Sequence, residues 1–217
     1  MGIVTKIFHD KVVYSRRMTR LKEILSPMLE ESAEILDLGC GDGKIDSYIL
    51  EERKDIKIKG IDVLVRPDTY IDVMEYDGKT IPYEDNSFDT VMTIDVLHHT
   101  DNPMEIVKEM TRVSSKYIVI KDHIKTGFIS YLKLRAMDYV GNAHYHVRLP
   151  YNYLNQKQWN EIFEANGLGV KEINYNLNLY KGLFHLLFDR KLHFTVKLQK
   201  NDTQKRYVHR KWGAEPN

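Results

Sequence analysis

The stretch Ile35-Leu36-Asp37-Leu38-Gly39-Cys40-Gly41-Asp42-Gly43 constrains the fold of this 217-residue chain more than any other. A short apolar strand runs into a turn holding three glycines. A helical pattern (Ile45, Tyr48, Ile49, Leu50) then opens at Asp42 or Gly43. Glycine lets the main chain turn sharply and lets a ligand approach the backbone closely. Strand, glycine turn and helix in that order form the first unit of a parallel sheet with crossover helices. The turn lies at the carboxyl end of the strand, where open α/β sheets bind ligands. The spacing is Gly-x-Gly-x-Gly. A dinucleotide fingerprint needs a glycine where Lys44 stands, and a phosphate-binding loop needs Ser or Thr where Ile45 stands, so neither phosphate motif is met.

The rest of the chain extends this alternation. Residues 15–31 place Met18, Leu21, Ile24, Leu25, Met28 and Leu29 at helical spacing behind Ser15, a suitable N-cap, with Pro27 interrupting. Strands are expected at 56–63, 70–74, 88–94 and 117–121, with a helix at about 102–113. Beyond these come helices at 128–140 and 155–166, the latter ended by Gly167, and strands at 170–175 and 193–198. The expectation is a single α/β domain: a doubly wound, mostly parallel seven-stranded sheet with a helical cap inserted after the fifth strand. Its parts are an N-terminal helical segment (1–32), a ligand-binding core (33–124), a substrate cap (125–157), and a final helix with strands 6 and 7 (158–217).

Composition matters because it is uneven. The formal net charge is +1, yet residues 1–124 carry 17 Lys and Arg against 24 Asp and Glu, and residues 125–217 carry 15 against 7. Of the 23 aromatic residues, 15 lie in the second, basic part. Such an asymmetry points to different tasks for the two parts. One cysteine, Cys40, excludes an internal disulfide and a cysteine-only zinc site. No stretch reads as a signal peptide or membrane span, and Lys6 spoils a myristoylation signal at Gly2. A cytoplasmic enzyme is expected.

With both phosphate motifs unmet, the remaining reading of the glycine loop is S-adenosylmethionine, which has no phosphate and carries an ammonium, a carboxylate, a sulfonium, a ribose and an adenine. Asp37 places negative charge near the amino-acid end. Asp62, in Gly60-Ile61-Asp62-Val63, ends the second strand where a carboxylate takes ribose hydroxyls. Asp77-Gly78 follows the third strand, where a carboxylate can accept from the adenine amino group. At these residues the chain resembles class I S-adenosylmethionine-dependent methyltransferases, in the broad small-molecule group that includes ubiquinone and phosphoethanolamine enzymes. Further ordered blocks carry the resemblance: Ile81-Pro82-Tyr83-Glu84-Asp85-Asn86-Ser87-Phe88-Asp89, Val96-Leu97-His98-His99 and Glu109-Met110-Thr111-Arg112-Val113. The resemblance implies cofactor contacts from Gly39, Cys40, Gly41, Asp62, Val63, Asp77 and Gly78, with Ile94 and Asp95 beside the methionine end. Where the family has a Lys-Pro-Gly-Gly turn, this chain has Ser114-Ser115-Lys116.

Methyl transfer mostly needs the acceptor positioned and one proton managed. His98 and His99 follow the fourth strand, and Asp122-His123 follows the fifth, both at carboxyl ends. His123 is the expected base or acceptor clamp, oriented by Asp122, with His98 nearby. Arg148, Tyr151 and Tyr153 of the basic cap are the expected substrate contacts. His144-x-His146 suits neighbouring metal ligands, but no third ligand is legible, so no metal is expected. Leu179 to Phe188 is a core or dimer segment or a peripheral membrane contact. The tail, with Lys205, Arg206, Arg210 and Lys211 near Tyr207 and Trp212, lacks a nucleic-acid motif. The expected acceptor is a small molecule, lipid or glycan precursor, bound by a monomer or homodimer. An RNA methyltransferase and a non-catalytic cofactor-binding module are the alternatives.

Overall fold

The computed structural model describes residues 15–142, 149–182, 185, 188, 189 and 191–201. Arg148, His144, His146, the basic tail and much of the 179–188 run fall outside them.

Helix α1 (15–25) gives way to a short 3-10 turn, Ser26–Met28, where Pro27 blocks its continuation. Strand β1 (Glu34–Leu38) leads through the glycine turn into α2 (Lys44–Glu52). Strands β2 (Lys57–Asp62), β3 (Val73–Glu75) and β4 (Phe88–Ile94) follow, then α3 (Pro103–Val113) and β5 (Ser114–His123). Helix α4 (Phe128–Asn142) and helix α5 (Gln156–Ala165) precede β6 (Leu168–Asn174) and β7 (His193–Lys200). The sheet order is β3-β2-β1-β4-β5-β7-β6, with β7 antiparallel to β5 and β6 and every other pair parallel.

Two apolar layers cover the sheet. One joins Leu36, Val91, Ile118 and Phe194 to Val107, Met110, Trp159 and Phe163 of α3 and α5. The other joins Ile35, Ile58, Met92 and Val119 to Leu21 and Leu25 of α1 and Ile49 of α2. Burial on both faces is what a doubly wound sheet requires. The capping box between Asn155 and Gln158 starts α5, and Gly167, at φ +64°, ends it.

Three expectations shift. Strand β3 begins at Val73, because Tyr70 belongs to a loop whose N–H donates to Asp42 O and whose hydroxyl meets Lys44 Nζ. Gly43, at φ +72°, is the N-cap of α2, and the Asp42 carboxylate accepts from Lys44 N. Strand β5 runs from Ser114 to His123, so α3 passes into it with no intervening turn. Asp122 and His123 are its last residues because β7 pairs with it to the end, His123 opposite His193.

Glycine is also needed at Gly60 of β2, where an added Cβ would lie 2.3 Å from Cys40 Sγ. Gly60→Ala is expected to lower the melting temperature by roughly 5 °C, the cost of overpacking a filled interior. Cys40→Ala in the same chain should recover part of that loss. Equal and additive effects in thermal melts would show that the two side chains do not compete.

Candidate active site

The glycine turn is held by its own backbone. Gly39 N and Cys40 N both donate to Ile61 O, at 2.7 and 3.3 Å, tying the turn to the end of β2. Asp62 completes the link: Oδ2 accepts from Gly41 N at 2.8 Å and Oδ1 from Leu64 N at 2.9 Å. The turn, Asp62 and exposed Val63 therefore form one ledge. Val63 lies against Gly78, whose Cβ position is 3.0 Å from Val63 Cγ1, which brings in the end of β3. Asp77 is exposed there, and Oδ1 accepts from Lys79 N and Thr80 N. Those bonds lower its pKa. Cys40 turns inward onto Gly60, and burial raises its thiol pKa far above the usual range, so it is no nucleophile.

Asp37 lies beneath the ledge at 2 % exposure, against an equally buried partner that the sequence did not single out, Asp46 of α2. Burial and repulsion by Asp46 raise the Asp37 carboxyl, and burial raises that of Asp46. Asp37 Oδ1 and both Asp46 oxygens have no hydrogen-bond donor among the described residues. Both pKa values lie above the unfolded value of about 3.9. The folded state thus binds more protons, and stability falls as pH rises from that value towards neutrality. Asp46→Asn should shrink the stability lost between pH 5 and pH 8 by on the order of 2 kcal/mol. Denaturant melts at the two pH values check this; an unchanged pH dependence would refute the coupling.

A second polar cluster fills the carboxyl ends of β4 and β5. His98 sits in a 3-10 turn, Leu97–His99, at 2 % exposure. Its Nδ1 is 2.6 Å from Asp122 Oδ1, and its Nε2 is 3.3 Å from Asp138 Oδ2 of α4. Burial opposes charge on His98, but the two carboxylates push its pKa up to about 10. Burial alone would raise Asp122; His98 and His123 hold it well below the carboxylate range instead. His99 is pushed down to about 4 by burial and by the charge on His98. His123 Nδ1 lies 3.4 Å from Asp122 Oδ1 and from His98 Nδ1, and 3.6 Å from Asp95 Oδ1. Burial and the neighbouring cations Lys121 and His98 lower its pKa. The structure thus brings His98, Asp122 and His123 together, as expected from the strand ends.

Other expected residues take different positions. Asp95, at φ +59°, turns its carboxylate onto Arg17 of α1 and buried Lys121 of β5. Ile94 beside it is partly buried against the α1–α2 layer. Tyr153 is buried and donates its hydroxyl to Asp138, so it braces the cluster, and a direct contact with substrate is left to partly buried Tyr151. Arg135 of the cap lies over the Tyr151 ring at 4.6 Å. Asn152 fixes the cap to the site, its N–H donating to His98 O. In the 179–188 run, Leu179 is core. Sequence reasoning assigned no role to Asp46, Lys121, Asp138 or His193. Each carried a signal: a charged or polar side chain at an otherwise apolar, inward-facing position.

A profile of the methyltransferase domain family matches residues 12–173. A 27-O-demethylrifamycin SV methyltransferase of Amycolatopsis mediterranei is 30% identical over 111 residues, which are 44% of this chain and 40% of that protein. The chain thus spans about two fifths of that relative's length. Among solved structures, the chain resembles a complex of the Haloferax volcanii Trm112 methyltransferase activator with a putative methyltransferase. The TM-score is 0.63 at 15% identity, over 89% of this chain and 94% of that one. It also resembles a Thermotoga maritima S-adenosylmethionine-dependent methyltransferase described as a possible histamine N-methyltransferase, at TM-score 0.60 and 15% identity, over 91% and 96%. At such identities the structural likeness speaks for the fold alone. The profile adds the sequence, running from the edge of α1 into β6 across the whole ledge and histidine cluster, and it places this chain in the methyltransferase domain family.

Proposed function

We propose that this methyltransferase acts on a hydroxyl or amine of a small-molecule, lipid or glycan-precursor acceptor. The observation that carries the reading is the facing of two sites across neighbouring strand ends: the glycine ledge after β1 and β2, and the buried His98–Asp122–His123 cluster after β4 and β5.

The ledge fits S-adenosylmethionine. Among the described residues, the nearest atoms to a side chain at Gly41 belong to the Arg66 guanidinium, at 3.8 Å, so the turn leaves its backbone accessible. The Asp62 carboxylate retains lone pairs beyond its two backbone bonds, enough for ribose hydroxyls. Asp77 is exposed at the end of β3, where its carboxylate can accept from the adenine amino group. When bound, the cofactor supplies a methyl carbon activated by its sulfonium.

The chain's own residues then hold the acceptor and take its proton. A proton on His123 Nδ1, which faces Asp122 and Asp95 at 3.4 and 3.6 Å, leaves Nε2 as the accepting atom. Trp159 donates to His123 O at 3.2 Å and fixes the strand end that carries the ring. Tyr151 and Arg135 supply the cap's aromatic and cationic contacts for a polar or anionic acceptor. Transfer of a labelled methyl group into extracts separated into lipid, RNA, protein and small-molecule fractions tests this. Label is expected in the small-molecule or lipid fraction; label confined to RNA would overturn the acceptor class.

A further inference from the structure

His98, His99 and Asp138 each offer one ligand atom, and these atoms lie within 4.8 Å of one another. In this group His98 Nε2 faces Asp138 Oδ2 at 3.3 Å, and the buried Nδ1 of His99 has no hydrogen-bond partner among the described residues. Unpaired buried nitrogens are costly and call for an explanation. The residues are also held from behind. Asp122 Oδ1 sits 2.6 Å from the far ring nitrogen of His98, and the Tyr153 hydroxyl donates to Asp138. A carboxylate on the far nitrogen is how metal-bound histidines are generally oriented.

We infer that His98, His99 and Asp138 form a binding site for one divalent first-row transition-metal ion. Imidazole and carboxylate suit zinc, iron and similar ions. At metal–ligand distances of about 2.1 Å, tetrahedral donors lie about 3.4 Å apart. His98 Nε2 and Asp138 Oδ2 are already 3.3 Å apart, so closing the set needs only side-chain adjustment. Three protein ligands leave a coordination position open, and partly exposed His99 gives an ion its way in. The third ligand comes from α4, which buries Asp138 one turn from Leu134. The site shares His98 with the proposed acceptor cluster, and ion binding is read without turnover. Under the proposed function, the open position holds an oxygen of the acceptor.

The test is titration of chelator-stripped full-length protein with Co2+. One equivalent per chain is expected, with visible absorption of low-coordinate cobalt that Zn2+ abolishes. His99→Gln and Asp138→Asn should each weaken Co2+ binding at least tenfold, and Asp122→Asn about tenfold. All three should keep wild-type affinity for S-adenosylhomocysteine, whereas Asp62→Ala should lose that affinity and keep Co2+. Failure of the wild type to bind a stoichiometric ion overturns the site, whatever the variants do. Variants that bind Co2+ as the wild type does overturn the ligand assignment.

Discussion

His123→Ala is expected to lower methyl transfer by about a hundredfold or more, while affinity for S-adenosylhomocysteine stays within about twofold. Proton transfer by a positioned side chain contributes about 10²–10⁴-fold. The ring is fixed for such a role. It ends β5, its Nδ1 faces Asp122 and Asp95, its edge packs on His98 at 4.6 Å between centroids, and Trp159 holds its backbone. Among the described residues its hydrogen bonds and ring contacts lie outside the glycine ledge, so cofactor affinity separates chemistry from binding. His123→Gln fills the space without restoring the imidazole and should be nearly as slow. Unchanged turnover in both variants would remove His123 from the mechanism.

Asp62→Ala should weaken binding of S-adenosylmethionine and its demethylated product at least tenfold, or about 1.4 kcal/mol. The residue serves two purposes through one carboxylate. It holds the turn through Gly41 N and Leu64 N, and it faces the ligand at the end of β2. Alanine leaves Gly41 N–H without its acceptor and removes the ribose contact together. Asp62→Asn keeps the shape and one carbonyl acceptor, so its affinity should fall between the two. Wild-type affinity in Asp62→Ala would show that the ledge forms without it and that the ribose is held elsewhere.

Much of the fold was legible because its signals are local. The glycine turn, the 3.6-residue spacing of α3 and α5, and the Gly167 stop each lie within a dozen residues. The histidine cluster was partly legible because parallel strands deliver their carboxyl ends to one edge, so His98 and Asp122-His123 had to approach. The partners that set their chemistry were not. Asp37 meets Asp46, Asp95 meets Arg17 and Lys121, and His98 meets Asp138 only through packing between separate elements. Tyr153 was expected at the substrate and instead donates to Asp138, because the end of the cap folds inward over His98. The near-neutral net charge likewise concealed an acidic ledge beside a basic cap.

The central claim is that the glycine ledge binds S-adenosylmethionine for transfer to an acceptor held at the His98–Asp122–His123 cluster. Calorimetric titration of the purified chain with S-adenosylhomocysteine tests it most directly. One site per chain is expected, weakened at least tenfold by Asp62→Ala and unaffected by His123→Ala. No binding to the wild-type chain would contradict the account.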